Sequence, residues 1–352
     1  MKYKKYMFFV ILIICIFSVF MKLFFGGIYR ASAENSIVKL FLSHEINIDE
    51  YIESYEMKDL RYDQPNGVDI FLKNITDTEF NHYTVTLNCL SDRHSFKFSI
   101  DKNTDAVSVY NLIPDQWYLY KIYAFNETQS KFDSFGFVKS EGANRMIKAD
   151  SLYNIRDLGG WETEDGKSVV YGKIYRGSGM NSAQNMNISE TDKDILKNQL
   201  GITADLDLRE EEESLYLTES PMGNEIDYIR IPITAYGEFI TEPGDNLKAI
   251  MNTLIDNEVI YIHCYAGCDR TGTVSWLILG LLGVPEEDLI KDYELSSFSI
   301  FGNRTKDERY DSMAAAIKGY PGECLQEKIQ NYFLDHGVSK DEIDILRKKM
   351  TE

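Results

Sequence analysis

The apolar periodicity of this chain changes once, near residue 148, and that change sets the architecture it can adopt. Upstream, Tyr83, Val85, Leu87 and Cys89 alternate with Thr84, Thr86 and Asn88. Phe96, Phe98 and Ile100 alternate with Lys97 and Ser99. Val107 and Val109, then residues 117–124 and 132–138, continue the pattern with turn residues between the runs. Short strands at this spacing predict an all-β sandwich. Residues 139–150 carry the junction. Downstream, apolar runs at 202–208, 228–233 and 259–263 read as strands. Residues 189–200, 245–255 and 271–282 read as helices between and after them. Ser189 suits the first helix as a cap and Gly201 as a stop, Gly283 ends the third, and Ser339 caps the last helix of the chain. Strands alternating with helices predict an α/β domain, with a mainly parallel sheet flanked by helices.

A length of 352 residues accommodates both domains. Lys2, Lys4 and Lys5 precede an apolar run over residues 7–20, and a second apolar stretch covers residues 23–28. Ala31-Ser32-Ala33 follows and suits signal peptidase. Residues 7–28 are also long enough for a retained membrane anchor, with Lys22 placed to snorkel. The expected organisation is therefore a signal peptide or anchor at 1–33, the sandwich at 34–148 and the α/β domain at 149–352. Residues 34–60, acidic and weakly periodic, read as a leader into the sandwich. Positive charge ahead of the apolar run predicts an extracytoplasmic chain, secreted or anchored in the cell membrane. Acidic residues outnumber basic ones 56 to 37, so no nucleic-acid partner is expected. Any phosphate site must be a local exception to that charge. The cysteines are Cys15, Cys89, Cys264, Cys268 and Cys324, too few for a disulfide scaffold. No Cys/His cluster has zinc spacing, so neither metal nor cofactor is implied.

One stretch carries chemistry: His263-Cys264-Tyr265-Ala266-Gly267-Cys268-Asp269-Arg270-Thr271-Gly272, between a strand and a helix. Such a junction aims backbone N–H groups and a helix N-terminus at one point, which makes an anion nest. Tyr265 to Arg270 would wrap a phosphate, with Cys264 at the floor. Arg270 can close the rim with a bidentate fork. The positive field favours the thiolate, a competent nucleophile toward phosphorus. Thr271 can donate its hydroxyl to the sulfur and help it leave. Gly267 permits close backbone approach. His263 is expected to bond loop carbonyls and support the thiolate.

These residues resemble the cysteine-dependent tyrosine phosphatase superfamily. More narrowly they are similar to bacterial tyrosine/serine phosphatases whose loop reads His-Cys-x-x-Gly-Lys-Asp-Arg-Thr-Gly. Asn154-Ile-Arg156-Asp157-Leu-Gly159-Gly160 resembles the family's entry motif, and Tyr175-Arg176-Gly-Ser178 its Tyr-Arg-Ser segment. Asp207-Leu-Arg209 through Glu213 resembles its Asp-Leu-Arg-x-x-x-Glu segment, and Asp292-Tyr293 part of its later helix pair. The resemblance implies phosphomonoester hydrolysis through a phosphocysteine, with supporting roles for Asn154, Arg156, Asp157, Arg176 and Arg209. Arg156 and Arg176 could contact phosphate or pair with carboxylates. Two departures matter. Cys268 replaces the family lysine, and no Asp stands at the usual general-acid place after residue 233. Asp269 is the best remaining acid, with a structural role nearly as credible, and Glu238, Glu242 and Asp245 follow it. In the upstream domain, Leu112, Pro114, Tyr118 and Ala124 fall at the spacing of a fibronectin type III domain. There Tyr118 would bury its ring and bond back to the preceding corner.

The implied activity is that of a protein tyrosine phosphatase, of dual specificity at most, acting on phosphorylated proteins or peptides. One alternative is a phosphoinositide or inositol-phosphate phosphatase, which would take an inositol phospholipid. Another is a catalytically weak phosphate-binding surface module. The sandwich's partner is open.

Overall fold

The computed structural model describes residues 2–54, 62–72, 80–91, 94–101, 104–181 and 187–352. The chain divides into two compact units. One comprises residues 1–31 and 67–141, the other residues 32–66 and 142–352.

The first unit begins with helix α1 (Lys2–Phe24) and strand β1 (Phe25–Ser32). It continues with β2 (Val68–Phe71), β3 (His82–Cys89), β4 (Ser95–Asp101), β5 (Ala106–Val109), β6 (Trp117–Phe125) and β7 (Ser130–Glu141). Among the described residues, one sheet is ordered β1-β7-β6-β3-β4 and a second pairs β2 with β5. Alternation does what the pattern promised: Tyr83, Val85 and Leu87 face a core shared with Val107, Val109, Tyr118, Tyr120 and Ile122. Tyr118 is fully buried, and its hydroxyl accepts a hydrogen bond from the Ile113 amide at 2.9 Å. The second apolar stretch of the leader turns into β1, with Ala31 buried. Among the described residues no helix is long and apolar enough to cross a membrane.

The second unit opens with α2 (Ser36–Leu42) and α3 (Ile48–Ser54). This corrects the expected boundaries, because residues 32–66 belong here and not with the β-rich unit. The reason is apolar burial: Val38, Phe41, Ile48 and Tyr51 pack against Met146, Leu295 and Phe298. Part of the expected leader, residues 55–60, lies outside the described residues. The sheet comprises β8 (Arg156–Asp157), β9 (Ile174–Gly177), β10 (Ala204–Asp207), β11 (Asp227–Arg230) and β12 (Ile260–His263). Its order is β11-β10-β12-β9-β8, parallel except for β8. Ile174, Leu206, Ile260 and Ile262 face one core, while Tyr175 and Tyr261 face another with Leu196 and Leu200.

The helices of this unit are α4 (Glu190–Asp194), α5 (Tyr236–Thr241), α6 (Asn246–Asp256), α7 (Arg270–Leu282), α8 (Glu286–Glu294), α9 (Glu308–Ile317), α10 (Leu325–Asp335) and α11 (Lys340–Met350). Ser189 caps α4, whose path continues through a π-helical turn, Ile195–Gln199. Gly283 ends α7 at φ 93°, and Ser339 with Glu342 forms a capping box on α11. The carboxyl ends of β9, β10 and β12 finish side by side, where open α/β sheets bind ligands.

Candidate active site

β12 ends at His263, Cys264 opens the loop, and α7 begins at Arg270. Gly267 lies in the left-handed region at φ 69°, and a Cβ there would sit 2.2 Å from the Gly177 carbonyl oxygen. Only glycine lets the loop fold this tightly on β9. Cys264 is 2% exposed at the loop floor. The Thr271 hydroxyl is buried and, among the described residues, has no hydrogen-bond partner. A buried hydroxyl in that state is available to the sulfur or to an oxyanion.

Arg270 is held before any ligand arrives. Its Nη1 and Nη2 donate to the two Glu213 carboxylate oxygens at 2.5 and 2.9 Å. That fork holds the Glu213 carboxyl below its usual range. Burial alone would lower the Arg270 guanidinium, but Glu213 and the nearby Cys264 raise it instead. Arg270 is therefore a fixed cation at the rim.

The supporting residues gather behind the loop. Asn154 has φ 56°. Its Nδ2 lies 3.3 Å from the Ala266 carbonyl and 3.4 Å from Cys268 Sγ. Arg156 donates to Asn154 Oδ1 at 2.7 Å and to Asp292 Oδ1 at 3.0 Å. Arg176 donates to Asp292 Oδ2 at 2.6 Å and to the Gly267 carbonyl at 2.7 Å. Burial would raise the Asp292 carboxyl, but Arg156 and Arg176 outweigh it and lower it. The phosphate-contact option for Arg156 and Arg176 gives way to carboxylate pairing: both are buried and bound to Asp292. Arg176 thus occupies the Gly267 carbonyl and lies 3.4 Å from that of Cys268. Asp157 is buried and accepts from the Gly159 and Gly172 amides at 2.9 and 2.7 Å, so it shapes a turn. Arg209 forks Asp207 at 2.8 and 2.7 Å, while its Nη1 is buried without a partner. One His263 nitrogen lies 3.3 Å from the Cys264 carbonyl, and the other 2.7 Å from Asp205.

Two expectations need correction. Asp269 was the leading general acid, yet Arg304 binds both its oxygens at 2.7 and 2.9 Å, and the Tyr236 hydroxyl donates to it as well. Burial would raise this carboxyl, but Arg304 and Tyr236 lower it below its ordinary value. Held at both oxygens, this carboxylate ties the loop to Arg304 and Tyr236. Cys268 was placed among the phosphate contacts. Its side chain points into the protein, where Sγ meets Asn154 and lies 3.4 Å from the Ala266 carbonyl. Burial pushes this thiol up to about 12. Only its backbone can serve a phosphate.

Sequence reading missed Arg304, the Glu213–Arg270 pair and an aromatic wall. Phe301 packs against Tyr265 and Tyr153, each at 5.8 Å between ring centres. Phe301 and Arg304 share one segment after α8, which carried no motif. Among the described residues, no three His, Cys, Asp or Glu side chains gather as a metal site would require.

The sequence profile of the tyrosine phosphatase family matches residues 147–352, more than half of the chain. The chain belongs to the tyrosine phosphatase family. A provisionally named tyrosine-protein phosphatase of Cupriavidus necator is 26% identical over 171 residues, 41% of this chain and 60% of its own. A tyrosine-protein phosphatase of Nostoc commune is 26% identical over 167 residues, 40% of this chain and 55% of its own. The chain thus spans between half and two thirds of these relatives' lengths. Among solved structures, P. aeruginosa TpbA is 15% identical, with 47% of this chain and 91% of its own covered, at a TM-score of 0.31. The matched family region excludes β1–β7 and α1–α3.

Proposed function

We propose that the second unit hydrolyses phosphomonoesters, with phosphotyrosine in proteins or peptides as its substrate. The observation that carries this reading is the loop: Cys264 at its floor and Arg270 fixed at its rim by Glu213. The Cys264 thiolate attacks phosphorus, the phosphorus–phenol oxygen bond breaks, and the phenolate leaves and takes its proton from solvent water. Water then attacks the phosphocysteine and releases inorganic phosphate and the thiolate. Arg270 and the loop amides neutralise charge on the transferring group. Thr271, buried and unpartnered, is free to steady the departing sulfur.

The Tyr153–Phe301–Tyr265 wall supports an aryl substrate, since a phenyl ring stacks well on such edges. Inositol phosphates would call for further cations at the mouth. Cys268 is uncharged and turned into the protein, and Arg304 is committed to Asp269. The test is a side-by-side assay of the full chain on phosphotyrosyl peptides, an aryl phosphate and inositol lipids. The highest kcat/KM is expected on the peptides. Faster turnover of the lipids, or no turnover at all, overturns the reading.

We also infer a place outside the cytoplasm and a fibronectin type III-like β unit. Lys2, Lys4 and Lys5 ahead of the apolar run support the first. The Tyr118 bond to the Ile113 amide supports the second. Protease added to intact cells should digest the protein. Full protection would refute the location.

A further inference from the structure

Residues that lie between β1 and β2 in sequence reach the back of the phosphate loop. Asn35 caps α2 by accepting from the Ile37 amide at 2.9 Å. Lys291, on α8, donates to the Phe41 and Leu42 carbonyls at 2.6 and 3.1 Å, tying the end of α2 to α8. Farther on, the Tyr62 amide donates to the Phe298 carbonyl at 3.1 Å, and Gln64 Nε2 donates to the Ala149 carbonyl at 2.7 Å. Between these anchors stands Asp63, 2% exposed. Its Oδ2 accepts the backbone N–H of Asn154 at 2.6 Å, across 91 positions of sequence.

Asn154 joins Asp63 to the loop. Its φ of 56° lies in the left-handed region, which Asn enters more readily than other side-chain-bearing residues. Its side chain links the Ala266 carbonyl, Cys268 Sγ and Ser296 Oγ, the last at 3.3 Å. One hydrogen bond therefore separates Asp63 from the residue that grips the loop. Without the Asp63 acceptor, the Asn154 amide would be buried and unpaired, which such groups avoid by moving. Any relaxation from φ 56° would swing Nδ2 away from Ala266.

We propose that Asp63 is a positioning residue for the phosphate-binding loop, acting through Asn154. This lies outside the region the family profile matches, 147–352. Its kinetic readout rests on the proposed activity; its chemical readout does not.

The experiment compares full-length wild type, Asp63→Ala, Asp63→Asn and Val38→Ala. The last loosens the same segment without touching Asn154. Iodoacetamide labelling of Cys264 is followed by peptide mass mapping, with inorganic phosphate as the protecting ligand. Asp63→Ala should weaken phosphate protection by about 10-fold, the worth of one buried hydrogen bond, and lower kcat by a similar factor. Asp63→Asn keeps an acceptor oxygen and should restore most of both. Val38→Ala should lower the melting temperature and leave phosphate protection intact. If Asp63→Ala does not fold, Asp63→Ser, whose hydroxyl is too short to reach the amide, takes its place. Wild-type protection in the Ala or Ser variant, or an equal loss in Val38→Ala, overturns the proposal. If wild type turns over no phosphate ester while phosphate still protects Cys264, the proposed function fails and the role of Asp63 is judged from the labelling alone.

Discussion

The two sides of the phosphate loop treat their polar groups in opposite ways. Behind it, Asn154, Arg156, Arg176 and Asp292 are buried and bonded to one another or to loop carbonyls. In front, the Thr271 hydroxyl and Arg209 Nη1 are buried with no partner among the described residues, and Arg270 is paired to a partly exposed carboxylate, Glu213. Behind the loop, Arg176 Nε is left unpaired among the described residues while the other groups named there are bonded, and in front Thr271 and Arg209 Nη1 remain open to a ligand. The lesson is that the arginines of a phosphate site are not alike. Arg156 and Arg176 are bound to Asp292 behind the loop, whereas Arg270 is held at the rim by Glu213.

Mutations can break that contrast. Cys264→Ser and Arg270→Ala should each lower kcat by roughly 10³-fold or more, because both act on the transition state. Their melting temperatures should stay near wild type. Asp292→Ala should do the reverse. It leaves two buried guanidinium groups without their shared anion, a loss of about 3–5 kcal/mol for a broken buried pair. Thermal melts should show a fall of roughly 10 °C, with activity declining as the loop loosens. Equal thermal losses on both sides would dissolve the distinction.

Asp269 sits on the boundary and sharpens it. If it were the general acid, Asp269→Asn would cost about 10² to 10⁴-fold, and more for an alkyl than for an aryl leaving group. Held by Arg304 and Tyr236, it should instead slow both substrates equally, by about 10-fold, through loop disorder. Its folded carboxyl lies below the unfolded value, so its contribution to stability is present above that value and is lost as pH falls through the folded one. Melts of Asp269→Asn should therefore lose part of the wild-type decline below about pH 4. A selective loss on alkyl phosphates would return the acid role to Asp269; without one, Glu238 on α5 is the next residue to replace.

Much of this was legible in the chain. The loop sequence, the helix caps at Ser189 and Ser339, and the burial of Tyr118 follow from local chemistry, in which a few neighbours decide the outcome. The Arg304–Asp269 pair spans 35 residues and the Asp63–Asn154 bond 91. Neither leaves a local trace, because any buried acceptor at the right place in space would serve. Residues 34–54 misled for the same reason. Two short helices with a few apolar positions show little periodicity, and their burial depends on Leu295 and Phe298 far downstream. Strand β1 was hidden because an apolar run after a leader reads equally well as more leader.

Cys264 and Cys268 are the smallest version of the contrast, two buried thiols four residues apart in one loop. A resolving cysteine must form a thiolate or meet a sulfenic acid as a neighbour. Cys268 does neither readily. Its thiol is pushed up to about 12 by burial and is engaged by Asn154 and the Ala266 carbonyl. A protective disulfide would require the loop to open and Asn154 to release it. Cys268→Ser should therefore change kcat by less than about 3-fold, since a hydroxyl can take up the same two contacts. After mild peroxide and then a dithiol, the variant should recover activity as fully as wild type. Peptide mapping should find Cys264 oxidised without a Cys264–Cys268 cross-link. Appearance of that cross-link, with poorer recovery in Cys268→Ser, would mean that the back of the loop opens in solution and that its hydrogen bonds do not keep it closed.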